Sequence, residues 1–334
     1  MARKVTSFDV ARRAGVSQPT VSRALRNLPG ASPATRERII QVAAELAYIP
    51  SDSGRVLAFG TTRRIAVVSE ELTNPYYPEL IEPLRRELAQ HDLRTVLITD
   101  TTAEGVDTEV LADGSYDGVI LTTTMRNSSL PRDLTEHRIP HVLVNRILDY
   151  PESPGCAMDN AAGAGAVAAL LTDLGHVQVA SIQGPTETST GRERAEGLRS
   201  ALKLAGLQLP RKMIRRIPFG HDTGLRAAQD LLQLHDRPTA IVCGNDVIAL
   251  GALSAARVAG VRVPQDVTII GFDDIPMAAW PLVNLTTVHC DLAGLAGSAV
   301  ELLLAELASP GHPPAVRRIP VSLMLRGTHA APRQ

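Results

Sequence analysis

Cysteine, lysine and aromatic residues are all scarce in this chain of 334 residues, and each scarcity excludes something. The three cysteines, Cys156, Cys243 and Cys290, are odd in number, far apart and without a Cys-x-x-Cys pair. That excludes a disulfide framework and fits a reducing compartment, with the thiols acting as small buried apolar groups. The three lysines, Lys4, Lys203 and Lys212, never follow glycine, so no phosphate-cradling P-loop is present. No Gly-x-Ser-x-Gly elbow occurs, and the nine histidines show no metal-ligand spacing. No stretch approaches 18 consecutive apolar residues, and the first residues carry no apolar signal core. A cytoplasmic protein with no membrane partner, metal or cofactor is expected.

What is present points to an ordinary globular chain with an unequal charge distribution. Apolar residues are 44% and charged residues 21%, and the length suits two or three domains. The net charge of −1 hides a division. Residues 1–64 hold eleven Lys/Arg against four Asp/Glu, a net of +7; the remaining 23 Lys/Arg and 31 Asp/Glu leave −8. A small basic head on an acidic body implies a polyanionic partner for the head alone.

The head reads as three short helices. Thr6 with Asp9 three residues on starts the first, and Gly15 supplies the positive φ of a tight turn. Ser17 caps the second, with Pro19 in its first turn, and Val21, Ala24 and Leu25 form its inner stripe. Ser32-Pro33 starts the third, whose Ile39, Ile40, Ala43 and Leu46 recur at helical spacing. A helix-turn-helix sets the N-terminal residues of its second helix against base edges, here Ser17, Gln18, Pro19, Thr20, Ser22 and Arg23. Gln18 is suited to adenine and Arg23 to guanine, while Pro19 can only pack. A small basic helical bundle that binds a protein, or nothing, is the alternative on spacing alone.

From residue 64 short apolar runs alternate with helical stretches. Strands are expected at 64–69, 94–99, 117–123, 141–145, 179–184, 240–244 and 267–274, with helices including 76–91, 161–174, 192–206, 222–234 and 246–259. This is the pattern of parallel sheets with crossover helices, whose ligands gather at the carboxyl ends of strands. Asn-Pro-Tyr-Tyr (74–77), Asn145, Arg146, Thr190 to Arg194, Asn245, Asp246 and Asp273 all fall at such ends, and Phe219 lies in a loop before a helix. Singly, each has a plainer reading as a turn starter, helix cap or solvated arginine.

The run from Val5 to Pro50, with "DVA", "AGVS", "TVSRAL" and "TRERI" in register, resembles the DNA-binding head of the LacI/GalR family of bacterial transcription regulators. The rest resembles that family's periplasmic-binding-protein-like body. The resemblance implies an N-terminal all-α helix-turn-helix head (1–49), a hinge (50–63) and an α/β body (64–330) of two parallel-sheet subdomains. These are about 64–160 plus 290–319, and about 161–289 plus 320–330. DNA contacts would fall on Thr6, Ser17, Gln18, Pro19, Thr20, Ser22 and Arg23. In the hinge Leu57 would enter the minor groove, although Ser51, Asp52, Ser53 and Gly54 are poor helix formers for that role.

Carried over residue by residue, "TGRERAEG" puts Arg194 in a ligand-clamping role beside Thr190, "GNDVIALGAL" brings Asn245, and "IIGFDD" makes Asp273 the acceptor for ligand hydroxyls. Asn145 departs from the acidic residue common in the family. Tyr76, Tyr77 and Phe219 fall on apolar or aromatic contact positions, and Trp280 would flank the mouth. The implied effector is a sugar or sugar derivative, with Arg194, Arg146 and Asn145 also able to receive a sugar acid or sugar phosphate. The expected protein is a homodimeric repressor on double-stranded, pseudo-palindromic operator DNA, allosterically controlled by effector closing the two subdomains. The segment 100–117 looks shortened, and no C-terminal heptad tail is present for tetramerisation.

Rival classes are weaker. "GAGAVA" (163–168) matches a Gly-x-Gly-x-x-Ala dinucleotide fingerprint, but Asp159-Asn160 would cap the helix before it, leaving those glycines inside for close packing. Asp273-Asp274 is a carboxylate pair whose members, as strand neighbours, would face opposite ways. A pure binding protein is opposed by the basic head.

Overall fold

A computed structural model describes residues 5–25, 28–48, 61–69, 72–99, 106–150, 152–311 and 313–333. Leu57, most of the expected hinge and residues 100–105 of the shortened segment lie outside the described residues. Two compact units divide the chain, Met1–Thr62 and Arg63–Gln334.

The first unit has helices α1 (Ser7–Ala14), α2 (Gln18–Leu25) and α3 (Pro33–Glu45). Asp9 Oδ2 accepts both the Thr6 amide (3.0 Å) and the Thr6 hydroxyl (2.7 Å), so the carboxylate half of a capping box is made. Gly15 ends α1 at φ 65°, the left-handed region that lets α2 turn back. Val10, Ala11, Ala14, Val21, Ala24, Ile39, Val42 and Ala43 form the core. Ile40, expected on the inner stripe, is instead exposed, and Val42 takes the inward place. Residues 39, 42, 43 and 46 follow the three-four spacing of one helix face, which residue 40 leaves.

In the second unit a six-stranded sheet combines β1 (Arg64–Val68), β2 (Arg94–Ile98), β3 (Gly118–Leu121), β4 (His141–Val144), β5 (Gly155–Met158) and β11 (Val316–Ile319). Their order is β11-β5-β4-β3-β1-β2, and every pairing is parallel. A four-stranded parallel sheet, β7-β6-β8-β9, is built from β6 (Val179–Gln183), β7 (Ile214–Arg216), β8 (Ala240–Cys243) and β9 (Thr268–Ile270). Strands β10 (Thr287–Cys290) and β12 (Val321–Met324) form an antiparallel pair. Five of these strands, β5, β7, β10, β11 and β12, lie outside the strands that the alternation predicts. They are short, and "GCAM", "IRR" and "VRRI" carry too few adjacent β-branched residues to stand out.

The helices of this unit are α4 (Tyr76–Gln90), α5 (Thr108–Ala112), α6 (Leu130–Glu136), α7 (Asn160–Asp173), α8 (Ser189–Leu204), α9 (His221–Leu232), α10 (Asp246–Val258) and α11 (Leu292–Ala308). Ile65 and Val67 of β1 face one core with Leu80, Leu84 and Leu88 of α4, while Ala66 and Val68 face another. That alternation is the period-two pleat of a strand covered on both sides. Each fully buried leucine contributes ~2 kcal/mol of transfer energy. The sequence gives little signal for α11, because "LAGLAGSAVELLLAELA" is apolar on most faces and shows little amphipathic rhythm. All three cysteines are free and buried.

The glycines of "GAGAVA" sit inside α7, which Asp159 caps by accepting the Ala162 amide at 3.0 Å. A Cβ on Gly163 would meet Phe272 Cζ at 2.8 Å, so this glycine serves close packing. Gly165 has open space beside it.

Candidate effector cleft and DNA-reading head

In the head, Ser17 Oγ accepts the Thr20 amide at 3.3 Å and lies 2.8 Å from Thr20 Oγ1, so both hydroxyls take part in starting α2. Gln18 Nε2 donates to Ser7 Oγ at 3.2 Å, tying the reading helix to α1. Ser17, Pro19 and Arg23 are exposed, and Gln18, Thr20 and Ser22 partly so. Arg23 lays its Cδ beside Gly30, whose φ of 114° few other residues adopt. The exposed face of α2 thus carries one guanidinium, one amide and two partly exposed hydroxyls for groove edges.

In the body, nine of the ten expected effector residues line one narrow cleft with about 20 Å³ of free space: Tyr76, Tyr77, Asn145, Arg146, Thr190, Arg194, Phe219, Asn245 and Asp273. Asn74 joins them; it belongs to the "NPYY" run, and its Oδ1 accepts the Tyr76 amide at 3.2 Å. Trp280 is not among the lining residues: the 3-10 turn Pro276–Ala279 leaves it 55% exposed.

The local fold explains the convergence. Thr188 caps α8 by accepting the Gly191 amide at 3.1 Å, so the helix begins three residues before the expected 192. Thr190 and Arg194 therefore stand four apart on one helical face. Asn145 follows β4 at φ 69°, and Asp273 follows β9 at φ 117°. Non-glycine residues at positive φ cost about 1–3 kcal/mol and gather at sites the fold over-determines. Strand β9 stops at Ile270, so Asp273 and Asp274 diverge as loop residues rather than as strand neighbours. Asp274 turns to Arg326 Nη2 (2.7 Å) and His289 Nδ1 (2.9 Å).

The cleft is more internally bonded than its sequence suggests. Arg194 donates from Nε to Asn160 Oδ1 (2.8 Å) and from Nη1 to the Gly244 carbonyl (2.7 Å), and its guanidinium lies 3.8 Å from the Phe272 ring centroid. Its Nη2 stands 2.9 Å from Asp273 Oδ1, but no N–H is aimed along that contact, so Oδ1 is a buried acceptor without an aligned donor. Tyr76 donates its hydroxyl to Asn145 Oδ1 at 3.0 Å. Arg146 sits 5.8 Å from the ring centroids of both Tyr77 and Phe219. Asn245 Oδ1 accepts the Ile248 amide at 2.9 Å, the capping role that its plainer reading gives it. Asn160 and Phe272, which sequence reasoning does not assign to the site, hold Arg194 directly, and Arg318 reaches it only through Glu193 and Asn160.

Burial pushes the Asp273 carboxyl up to about 6, against the lowering influence of Arg194. Burial also raises Asp246 well above the usual carboxylate range, with the charge of Asp273 adding to it. Asp246 is structural: its Oδ1 accepts Thr287 Oγ1 at 2.5 Å and its Oδ2 the Ile275 amide at 2.9 Å. For Arg194, burial opposes the charge, but Asp273 and its neighbours outweigh it and raise the pKa.

Comparison with known proteins joins these observations. The description "Bacterial regulatory proteins, lacI family" matches residues 8–51, and "Periplasmic binding protein-like domain" matches 168–329. The HTH-type transcriptional repressor CytR of Escherichia coli K12 is 34% identical over 98% of this chain and 96% of its own. The chain belongs to the LacI family.

Other LacI-family relatives include the repressor PurR of Photobacterium profundum, 32% identical over 96% of this chain and 97% of that one. The lac repressor dimer solved with operator and the anti-inducer ONPF superposes with a TM-score of 0.87 at 26% identity, covering 98% of this chain and all of that one. The regulator CelR in complex with cellobiose gives a TM-score of 0.74 at 29% identity, over 97% and 100%. This LacI-family chain is a DNA-binding transcriptional regulator and not an enzyme, with a helix-turn-helix head and a periplasmic-binding-protein-like body of two parallel sheets. No helix among the described residues is long and apolar enough to cross a membrane.

Proposed function

We propose that this protein is a homodimeric repressor of a pseudo-palindromic operator, released or engaged by a small polyhydroxylated effector that binds in the cleft around Arg194 and Asp273. The observation that carries the effector reading is the convergence of nine residues on one cleft around the buried Arg194–Asp273 pair, where Asp273 Oδ1 has the Arg194 ion-pair contact at 2.9 Å but no further partner among the described residues. A ligand hydroxyl is the group that would fill it. Asn145, Thr190 and the Asn245 amide add polar partners, and Tyr77 and Phe219 present apolar ring surface. That mixture suits a sugar, sugar acid or sugar phosphate. The free space in the cleft is only about 20 Å³, far below the ~300 Å³ at which ligand pockets usually begin, so the cleft would have to open to admit an effector. That one relative was solved with cellobiose is in keeping with a saccharide.

On DNA, α2 would read base edges through Gln18 and Arg23, with Ser17, Thr20, Ser22 and Thr6 positioning the helix and Pro19 packing on a methyl. Leu57, outside the described residues, would be the minor-groove wedge. A body divided near residues 160, 290 and 320 would let effector closure change how two hinges are presented to the operator, and operator would change effector affinity by the same factor.

The test is calorimetry of the intact protein against monosaccharides, sugar acids, sugar phosphates and purines, with Asp273→Asn in parallel. Binding of one saccharide class that Asp273→Asn weakens at least tenfold supports the reading. Silence toward every saccharide together with binding of a purine overturns it. Footprinting upstream of its own and neighbouring genes, with sedimentation, tests operator and dimer; a monomer at micromolar concentration with and without DNA refutes the latter.

A further inference from the structure

A second crevice, about 580 Å³ in volume, lies on the small sheet, between α8 and strands β6 and β7. Arg199, Arg211 and Arg216 line it, and no aspartate or glutamate does so among the described residues. Two buried polar residues of β6, Ser181 and Gln183, lie deeper in it. No residue lines both this crevice and the cleft.

The three cations are held in different ways. Arg216 is fixed by donating from Nη1 to the carbonyls of Gly184 (2.9 Å) and Gly191 (2.7 Å). Burial and the nearby charge of Arg199 lower its pKa, with Glu187 and Glu196 offsetting part of that effect, so two guanidiniums are kept close although they repel. Arg199 is paired with Glu196 at 2.8 Å, a solvent-exposed contact three residues apart that a stronger anion can displace at small cost. Arg211 opens the 3-10 turn Arg211–Met213 at the end of the crevice. Gln183 is 1% exposed, and its Oε1 has no hydrogen-bond partner, a buried acceptor left unfilled.

We propose that this crevice is an anion site for the phosphate monoester of a small hydroxylated compound, separate from the effector cleft. Planar guanidiniums match a phosphate in paired, charge-assisted hydrogen bonds, and a dianion relieves the Arg199–Arg216 repulsion better than a carboxylate does. The inner polar residues, Ser181 and Gln183, supply partners for the hydroxylated part.

Calorimetry on the full chain with glucose 6-phosphate, ribose 5-phosphate and glycerol 3-phosphate tests this, with glucose, inorganic phosphate and sulfate as controls. The variants are Arg199→Ser with Arg211→Ser, both exposed, against Asp273→Asn in the cleft; Phe219→Leu replaces the latter if it does not fold. A phosphate ester that binds the wild type and the cleft variant alike, and the double arginine variant at least tenfold more weakly, supports the crevice. Binding lost in the cleft variant and kept in the arginine variant overturns it, because the ester then sits in the cleft. Equal affinity for sulfate and every ester, or no binding of any ester at millimolar concentration, also overturns it.

Discussion

Arg318 of β11 grips Glu193 of α8 with two hydrogen bonds, Nη1 to Oε2 at 2.8 Å and Nη2 to Oε1 at 2.7 Å. The same Glu193 Oε2 accepts Asn160 Nδ2 at 2.8 Å, and Asn160 Oδ1 accepts Arg194 Nε. A continuous polar path therefore runs from the outer strand of the large sheet to the guanidinium beside Asp273. Arg318 is expected to act as a positioning residue for the cleft. Arg318→Met should weaken effector binding about fivefold, in line with one lost charge-assisted hydrogen bond of roughly 1 kcal/mol in a partly exposed setting, with little change in operator affinity without effector. Titration calorimetry checks it. An unchanged effector affinity would show that Arg194 is held adequately by Asn160 and Gly244 alone.

The raised Asp273 carboxyl makes effector binding pH-dependent. With a folded value of about 6, lowering the pH from 8 to 5 protonates the acceptor, and affinity should fall, most steeply around pH 6. For stability the sign is opposite. The folded state binds this proton more tightly than the unfolded chain does, so the contribution is fully present below about pH 4 and is lost as pH rises through 6. Affinity measured at four pH values should therefore bend in the wild type, and the bend should be absent in Asp273→Asn.

Gly184 sets the place of Phe219. A Cβ there would lie 2.0 to 2.6 Å from three atoms of the ring, closer than real contacts allow. Gly184→Ala should push the ring out of position, lower stability by about 1–3 kcal/mol as overpacking does, and weaken the effector. Denaturant melts and calorimetry separate the two effects. A variant with wild-type affinity would mean that the Phe219 ring is not part of the ligand surface.

In the head, Arg23→Ala should relax selectivity at one base position by about 1–3 kcal/mol, leaving binding to other positions evenly scaled. Affinities for a set of single-base operator variants report it. A uniform loss across all sites would instead assign Arg23 to a phosphate.

Asp9→Ala should remove the acceptor that holds both the Thr6 amide and hydroxyl, costing the head about 1 kcal/mol of stability. Thermal melting monitored on the head's helices is the measurement.

Much of this is legible in order along the chain. The head's three helices carry their own punctuation, Thr6 with Asp9, Gly15, Ser17 and Ser32-Pro33, because caps and turns are local chemistry. The alternation from residue 64 announces parallel sheets, and parallel topology by itself sends Asn145, Arg194, Asn245 and Asp273 toward one rim. Short strands such as Ile214–Arg216 and the apolar helix Leu292–Ala308 are not legible, since their form depends on neighbours distant in sequence.

The sequence by itself determined the scarcity of lysine, cysteine and aromatics, the +7 head on a −8 body, and the residue types available to a cleft. Only the tertiary structure decided how those residues are used. It placed Trp280 outside the cavity, committed Asn245 to a helix cap and wedged Arg146 near two rings. It also joined Arg318 to Arg194 through Glu193 and Asn160, and left one Asp273 oxygen without an aligned donor. The reason is physical: a cap or a pleat is set by residues a few positions apart, whereas a buried ion pair needs partners that only folding brings within 3 Å.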